Sequence, residues 1–220
     1  MSGTIDARYT FAEEMANGLT HAFGIVLSVA GLFVLMAAAS LHGAGATDLV
    51  SCAIYGTTLI VLYTSSTAYH FVTRPRTKRL LRILDHLAIF LLIAGTYTPF
   101  VLIALRGVWG WALFAIVWSL AAIGTLLELS PTSRSRRVMV ALYIAMGWVG
   151  LIAIKPLIAA IAPAGLWLLF GGGVSYTLGV VFYRWHSLRY HHAIWHLFVL
   201  GGSVLQYLAV LYYVIPIRSV

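Results

Sequence analysis

Seven apolar runs, each long enough to cross a bilayer as a helix, constrain this chain more than any other feature. They cover about residues 18–41, 48–72, 83–105, 108–128, 138–154, 163–183 and 192–215, and each is about 17 to 25 residues long. Membrane strands would instead show alternating segments of about ten residues. The expected fold is therefore an all-α integral membrane protein, a single seven-helix bundle over residues 1–220. Composition agrees. The 220 residues are 61% hydrophobic and 9% charged, against about 25% charged in soluble domains. Residues 1–16 lack the basic-then-apolar order of a cleavable signal peptide. Cys52, the one cysteine, lies inside an apolar run and reads as a packed thiol.

The net charge of +8 would suggest nucleic acid in a soluble protein. Here the basic residues sit between the runs, chiefly in "TRPRTKRLLR" (73–82) and "SPTSRSRR" (130–137), which reads as topology. Of the 14 Lys and Arg, eleven fall in the N-terminal segment and the even-numbered connections: Arg8, Arg74, Arg76, Lys78, Arg79, Arg82, Arg134, Arg136, Arg137, Arg184 and Arg189. Only Arg106, Lys155 and Arg218 lie on the other side. The expected orientation is N-terminus in the cytoplasm and C-terminus outside. Gly171–Gly173 and Gly201–Gly202 are expected to be close-packing positions between helices.

Seven of the eight histidines fall at the cytoplasmic end of a span; His42 is the exception. His192 and His196, in "YHHAIWHLFV", are four apart on one helix face and can grip a single metal ion. His70 reaches the same depth from span two, with Ser66 one turn deeper on its face. Asp85 opens span three at that depth, and an acid there is costly unless paired, hydrated or functional. Three neutral nitrogens with an open fourth position is how catalytic zinc is held, whereas structural zinc is closed by four protein ligands. The plainer reading is a set of satisfied core histidines. His191 and His86 are expected to point away from the cluster, His186 to meet water or headgroups, and His21 receives no assignment. Trp195 is expected to face lipid or a neighbouring helix. Glu128 is expected to pair with the basic residues at 134–137, and Pro99 to kink span three.

The stretches "STAYH", "LDHLAIFLLIAGTYTPF", "MGWVG" and "HHAIWHLFVLGG" strongly resemble the hemolysin III family, within the progestin and adipoQ receptor group. "EEMANGLTHAFG" is similar to that group's first motif, met by Glu14, Asn17, Thr20, His21 and Gly24. The resemblance runs from about residue 10 to 215. It implies a seven-helix fold and an intramembrane zinc ion near the cytoplasmic face, with His70, His192 and His196 as ligands. It implies that Asp85 positions a water and that Ser66 is its polar neighbour. Gln206 stands where many relatives have His, which weakens the idea of a proton path through span seven.

The expected function is zinc-dependent hydrolysis of an amide or ester bond in a membrane lipid, a ceramide-like amide above others. Zinc lowers the pKa of a water to about 7, Asp85 serves as general base and Ser66 donates to the oxyanion. A lipid sensor with structural zinc, and a lytic factor, are the alternatives. Nucleic acid is not an expected partner. A retinal protein is disfavoured, since the two lysines, Lys78 and Lys155, both lie at or near loops. The expected location is the bacterial inner membrane.

Overall fold

Helix α1 (Phe11–Leu41) begins at a capping box. The Glu13 amide donates to Thr10 Oγ1 at 3.3 Å, and the Thr10 amide donates to Glu13 Oε2 at 2.8 Å. This cap lets a polar first turn precede the greasy run, so the helix starts about seven residues before hydropathy alone places it. The structure, a computed structural model, describes residues 9–130 and 136–219. Arg8 and Arg134 therefore lie outside the described residues.

The remaining helices follow in order: α2 (Ala46–Phe71), α3 (Pro75–Pro99), α4 (Gly107–Leu129), α5 (Arg136–Trp148), α6 (Ile154–Ala160), α7 (Pro163–Arg184) and α8 (His191–Ala209). Segments α5 and α6 are joined by a 3₁₀ stretch, Val149–Ala153, and together form one span. Among the described residues, seven helical spans are long and apolar enough to cross a membrane. The fifth, Arg136–Ala160, runs six residues further than its apolar run, because Pro156 falls at the start of α6 rather than ending the span. A proline is tolerated in the first turn, where its missing N–H has no partner to lose.

Pro99 acts differently. Helix α3 changes there to wider π turns over Phe100–Leu105, and the turn into α4 passes through Arg106 (φ 52°) and Gly107 (φ 50°). Thr96 Oγ1 donates to Leu92 O and Thr98 Oγ1 to Ala94 O, so hydroxyls support the chain on the way into the bend. α1 packs on α2, α2 on α3 and α7 on α8, while α8 also returns against α1. That last contact closes the bundle and brings the first and last spans together. The core holds Tyr55, Tyr63 and Cys52, with Ser203 tying two phenols: Tyr63 and Tyr176 each lie 2.8 Å from its Oγ. The exterior is apolar, with Phe33, Val108 and Trp167 largely exposed, as a lipid-facing surface requires.

The two glycine clusters divide. A Cβ on Gly172 would lie 2.5 Å from Gln206 Cγ and 2.9 Å from Gly202 O, so α7 and α8 touch backbone to backbone there. Gly202 faces the same contact. Gly171, Gly173 and Gly201 have only ordinary contacts at 3.5 Å or beyond, and are not close-packing positions. Gly172→Ala is therefore expected to cost about 1–3 kcal/mol by overpacking, seen as a lower melting temperature of the purified protein. Gly171→Ala should leave that temperature unchanged.

Candidate metal centre

Four helices bring polar side chains to one level of the bundle. α8 supplies His192 and His196 one turn apart, with ring centroids 4.5 Å from each other. α2 supplies His70, whose ring lies 5.2 Å from each of them. The three present ligand atoms that all lie within 4.8 Å of one another, a spacing one metal ion can share. Ser66 is buried on the same face of α2. Its hydroxyl neighbours the Asp85 carboxyl of α3, yet no partner meets it in hydrogen-bonding geometry.

Unpartnered atoms test whether these residues suit a metal. His70 Nε2 and both ring nitrogens of His192 are buried with no hydrogen-bond partner in the protein. An imidazole nitrogen so placed forgoes the hydrogen bond it had in water. Three all-nitrogen donors converging with free lone pairs are the donor set of a borderline-soft divalent ion. The residues fit such an ion.

Outward-facing bonds fix how two ligands present themselves. His70 Nδ1 lies 2.6 Å from Glu14 Oε2. A carboxylate only accepts, so Nδ1 carries the hydrogen and Nε2 carries the lone pair. His196 Nδ1 lies 3.0 Å from the Asn17 carbonyl oxygen and 3.2 Å from Thr20 Oγ1. Thr20 already donates its own proton to Ala16 O and Asn17 O, so it too accepts from His196. Nε2 again holds the lone pair. His21, also on α1, stacks on His196 at 3.6 Å and is buried with both nitrogens unpartnered.

A cavity of about 710 Å³ adjoins the cluster. Ser66, Asp85, His21, His192 and His196 line it, and it extends from Arg79 and Arg136 down to Gln206. Most of the remaining wall is apolar, including Leu62, Leu92 and Val199. Its shape joins a charged opening, a polar waist and an apolar interior. Thr96 and Tyr97, just before the Pro99 bend, also face it.

The expected bystanders behave as structural residues. His191 is buried and its Nδ1 donates to Phe182 O at 3.1 Å, tying the start of α8 to α7. Trp195 packs on Gly179 and Tyr183 of α7, and also borders the cavity. Glu128 meets an imidazole of α3 as well as lying near Arg136 of the basic run. His86 Nδ1 donates to Glu128 Oε1 at 2.7 Å, and Arg136 approaches His86 Nε2 at 3.5 Å. The packing of α3 on α4 brings the imidazole onto this carboxylate, with Arg136 close behind it. What sequence reasoning missed is the role of α1. Glu14, Asn17 and His21 recur at i, i+3 and i+7 in an otherwise apolar helix, a polar stripe that signals a buried polar contact.

The chain matches the profile of haemolysin-III-related proteins over residues 9–207. It belongs to that family. It is 46% identical to Hemolysin-3 of Bacillus cereus over 207 residues, covering 94% of each chain. It is 45% identical to the Hemolysin-3 homolog of Bacillus subtilis over 209 residues, covering 95% of this chain and 98% of that one. It is 29% identical to the human monocyte to macrophage differentiation factor over 209 residues, covering 91% and 84% respectively. That more distant relative is a member of the progestin and adipoQ receptor group.

If the three imidazoles hold one ion, His192→Ala and His196→Ala should each abolish stoichiometric divalent metal in elemental analysis of purified protein. His191→Ala should retain it.

Proposed function

We propose that this haemolysin-III-family protein is a zinc-dependent hydrolase of an amide or ester bond in a membrane lipid, with a ceramide-like amide as the best-fitting substrate. The observation that carries this reading is the junction of the apolar cavity with the three-histidine cluster, Asp85 and Ser66 at one level. An acyl chain suits the apolar interior, and a scissile carbonyl then falls at the polar waist. The all-imidazole donor set and the non-redox character of hydrolysis favour zinc among divalent ions. Three protein ligands leave a position open, which favours a catalytic role over the structural role of a sensor.

Bound zinc would supply an acidified water and polarise the substrate carbonyl. His70, His192 and His196 hold the ion and, through Glu14 and the Asn17 carbonyl, keep Nε2 of two rings turned inward. Asp85 takes the proton of the attacking water as its oxygen bonds the carbonyl carbon. Ser66, whose hydroxyl has no other partner, donates to the oxygen that gains charge. Asp85 then returns the proton to the departing nitrogen or oxygen as the acyl bond breaks, giving a carboxylic acid and an amine or alcohol. The apolar walls below the cluster disfavour bulk water there.

The site lies at the end of the bundle that carries Lys78, Arg79, Arg82 and Arg136. With eleven of the 14 Lys and Arg on that side, it faces the cytoplasm, and the protein resides in the bacterial inner membrane. A lipid hydrolase would also offer a chemical route to the lysis for which the Bacillus cereus relative is named.

The test is incubation of purified protein with a panel of ceramides and lysolipids, followed by mass spectrometry of the products. Metal-dependent release of a fatty acid from one class supports the proposal; intact lipids across the panel refute it. Asp85→Asn is expected to retain zinc and lose about 10²–10⁴-fold in turnover. Ser66→Ala is expected to lose about 10²-fold, mostly in kcat. Unchanged turnover in either variant removes that residue from the mechanism.

A further inference from the structure

We propose that Glu14, held by Lys78, is the residue that positions His70 for metal binding, so that α1 carries the outer shell of a site whose ligands all lie on α2 and α8. This rests on the metal reading above, and on nothing about the lipid. The observations are geometric. Glu14 Oε2 lies 2.6 Å from His70 Nδ1, and Glu14 Oε1 accepts from Lys78 Nζ at 2.9 Å. The His70 side chain is fully buried, while Glu14 and Lys78 are each less than one-fifth exposed. Lys78 Nζ also donates to Tyr69 O at 3.2 Å and Val72 O at 3.4 Å, and lies 4.9 Å from the centre of the Tyr69 ring. It therefore caps the carbonyl end of α2, the turn that bears His70, while fixing the carboxylate that orients His70.

The consequence is a chain of contacts from Lys78 through Glu14 to His70 Nδ1, which leaves Nε2 as the only lone pair on that ring. A carboxylate in this place raises the basicity of the far nitrogen and removes the competing tautomer. The three ligands are not held alike. His70 has a charged acceptor, His196 has a neutral carbonyl, and both nitrogens of His192 lack a protein partner. His70 is thus the ligand of the three that is held by a charged partner. Loss of Glu14 would free its ring to rotate or to present the wrong nitrogen.

The test measures zinc affinity by chelator competition, on full-length protein purified in detergent, for wild type, Glu14→Ala, Glu14→Gln and Lys78→Met. Melting of the metal-free proteins and the visible spectrum of their cobalt-loaded forms are recorded in parallel. Glu14→Ala is expected to bind zinc about 10–100-fold more weakly and to shift the cobalt bands. Glu14→Gln, whose amide oxygen still accepts from Nδ1, should recover part of the loss. A salt bridge with a merely structural role would lower metal-free melting and leave affinity and spectrum in place; that result overturns the proposal. If Glu14→Ala does not fold, the other two variants decide. Affinities within about threefold of wild type in both overturn it. Lipid hydrolysis is not read at all, so its absence leaves the inference standing. A wild-type protein that takes no zinc overturns both this inference and the metal reading.

Discussion

Burying imidazoles at membrane depth is the constraint around which the rest of this structure is arranged. Each unpaired polar atom in a low-dielectric setting costs free energy that packing must offset. The bundle meets this by pairing the outward nitrogens of His70 and His196 with acceptors on α1. The inward nitrogen of His70 and both ring nitrogens of His192 remain without protein partners, as do Ser66 Oγ and the Asn17 side-chain amide. A cluster half satisfied in this way is expensive as a core and sensible as a binding site. The return of α8 to α1, which closes the bundle, also supplies the acceptor for His196, while the packing of α1 on α2 supplies that for His70.

The same arrangement accounts for the shape of the cavity. α3 bends at Pro99 into wider turns, and α5 gives way to α6 through a 3₁₀ stretch. Both irregularities lie beside Tyr97, whose hydroxyl donates to Gly147 O at 2.7 Å and accepts from the Gly150 amide at 3.0 Å. Backbone groups freed by the breaks are thereby met inside the protein rather than left to lipid. Gly172 and Gly202 let α7 and α8 close tightly on each other, and the same two helices form one wall of the cavity through Gly173, Tyr176, Val199 and Gln206.

Much of this was legible before the structure. Span number follows from run length, and the pairing of His192 with His196 follows from helical spacing. The matched depth of His70 and Asp85 follows from alternating topology. What was not legible depended on partners far apart in the chain. Glu14 and His70 are 56 residues apart, and the motif that includes Glu14 does not say which side chain it meets. Lys78 reads as one more charge in a basic connection. The acceptor for His196 is the main-chain oxygen of Asn17, and a carbonyl has no signature in a sequence. Glu128 also meets His86 through the packing of α3 on α4, a partner that its place beside the arginine run does not announce. The helix ends were misjudged where a capping box or a first-turn proline did work that hydropathy does not register.

The central claim is that three imidazoles hold one ion with a position left open. X-ray absorption on the zinc-loaded protein tests it most directly. The account predicts a first shell of three nitrogens and one oxygen at about 2.0–2.1 Å, with imidazole scattering beyond it. A shell of oxygen alone, a sulfur ligand, or no retained zinc would contradict it.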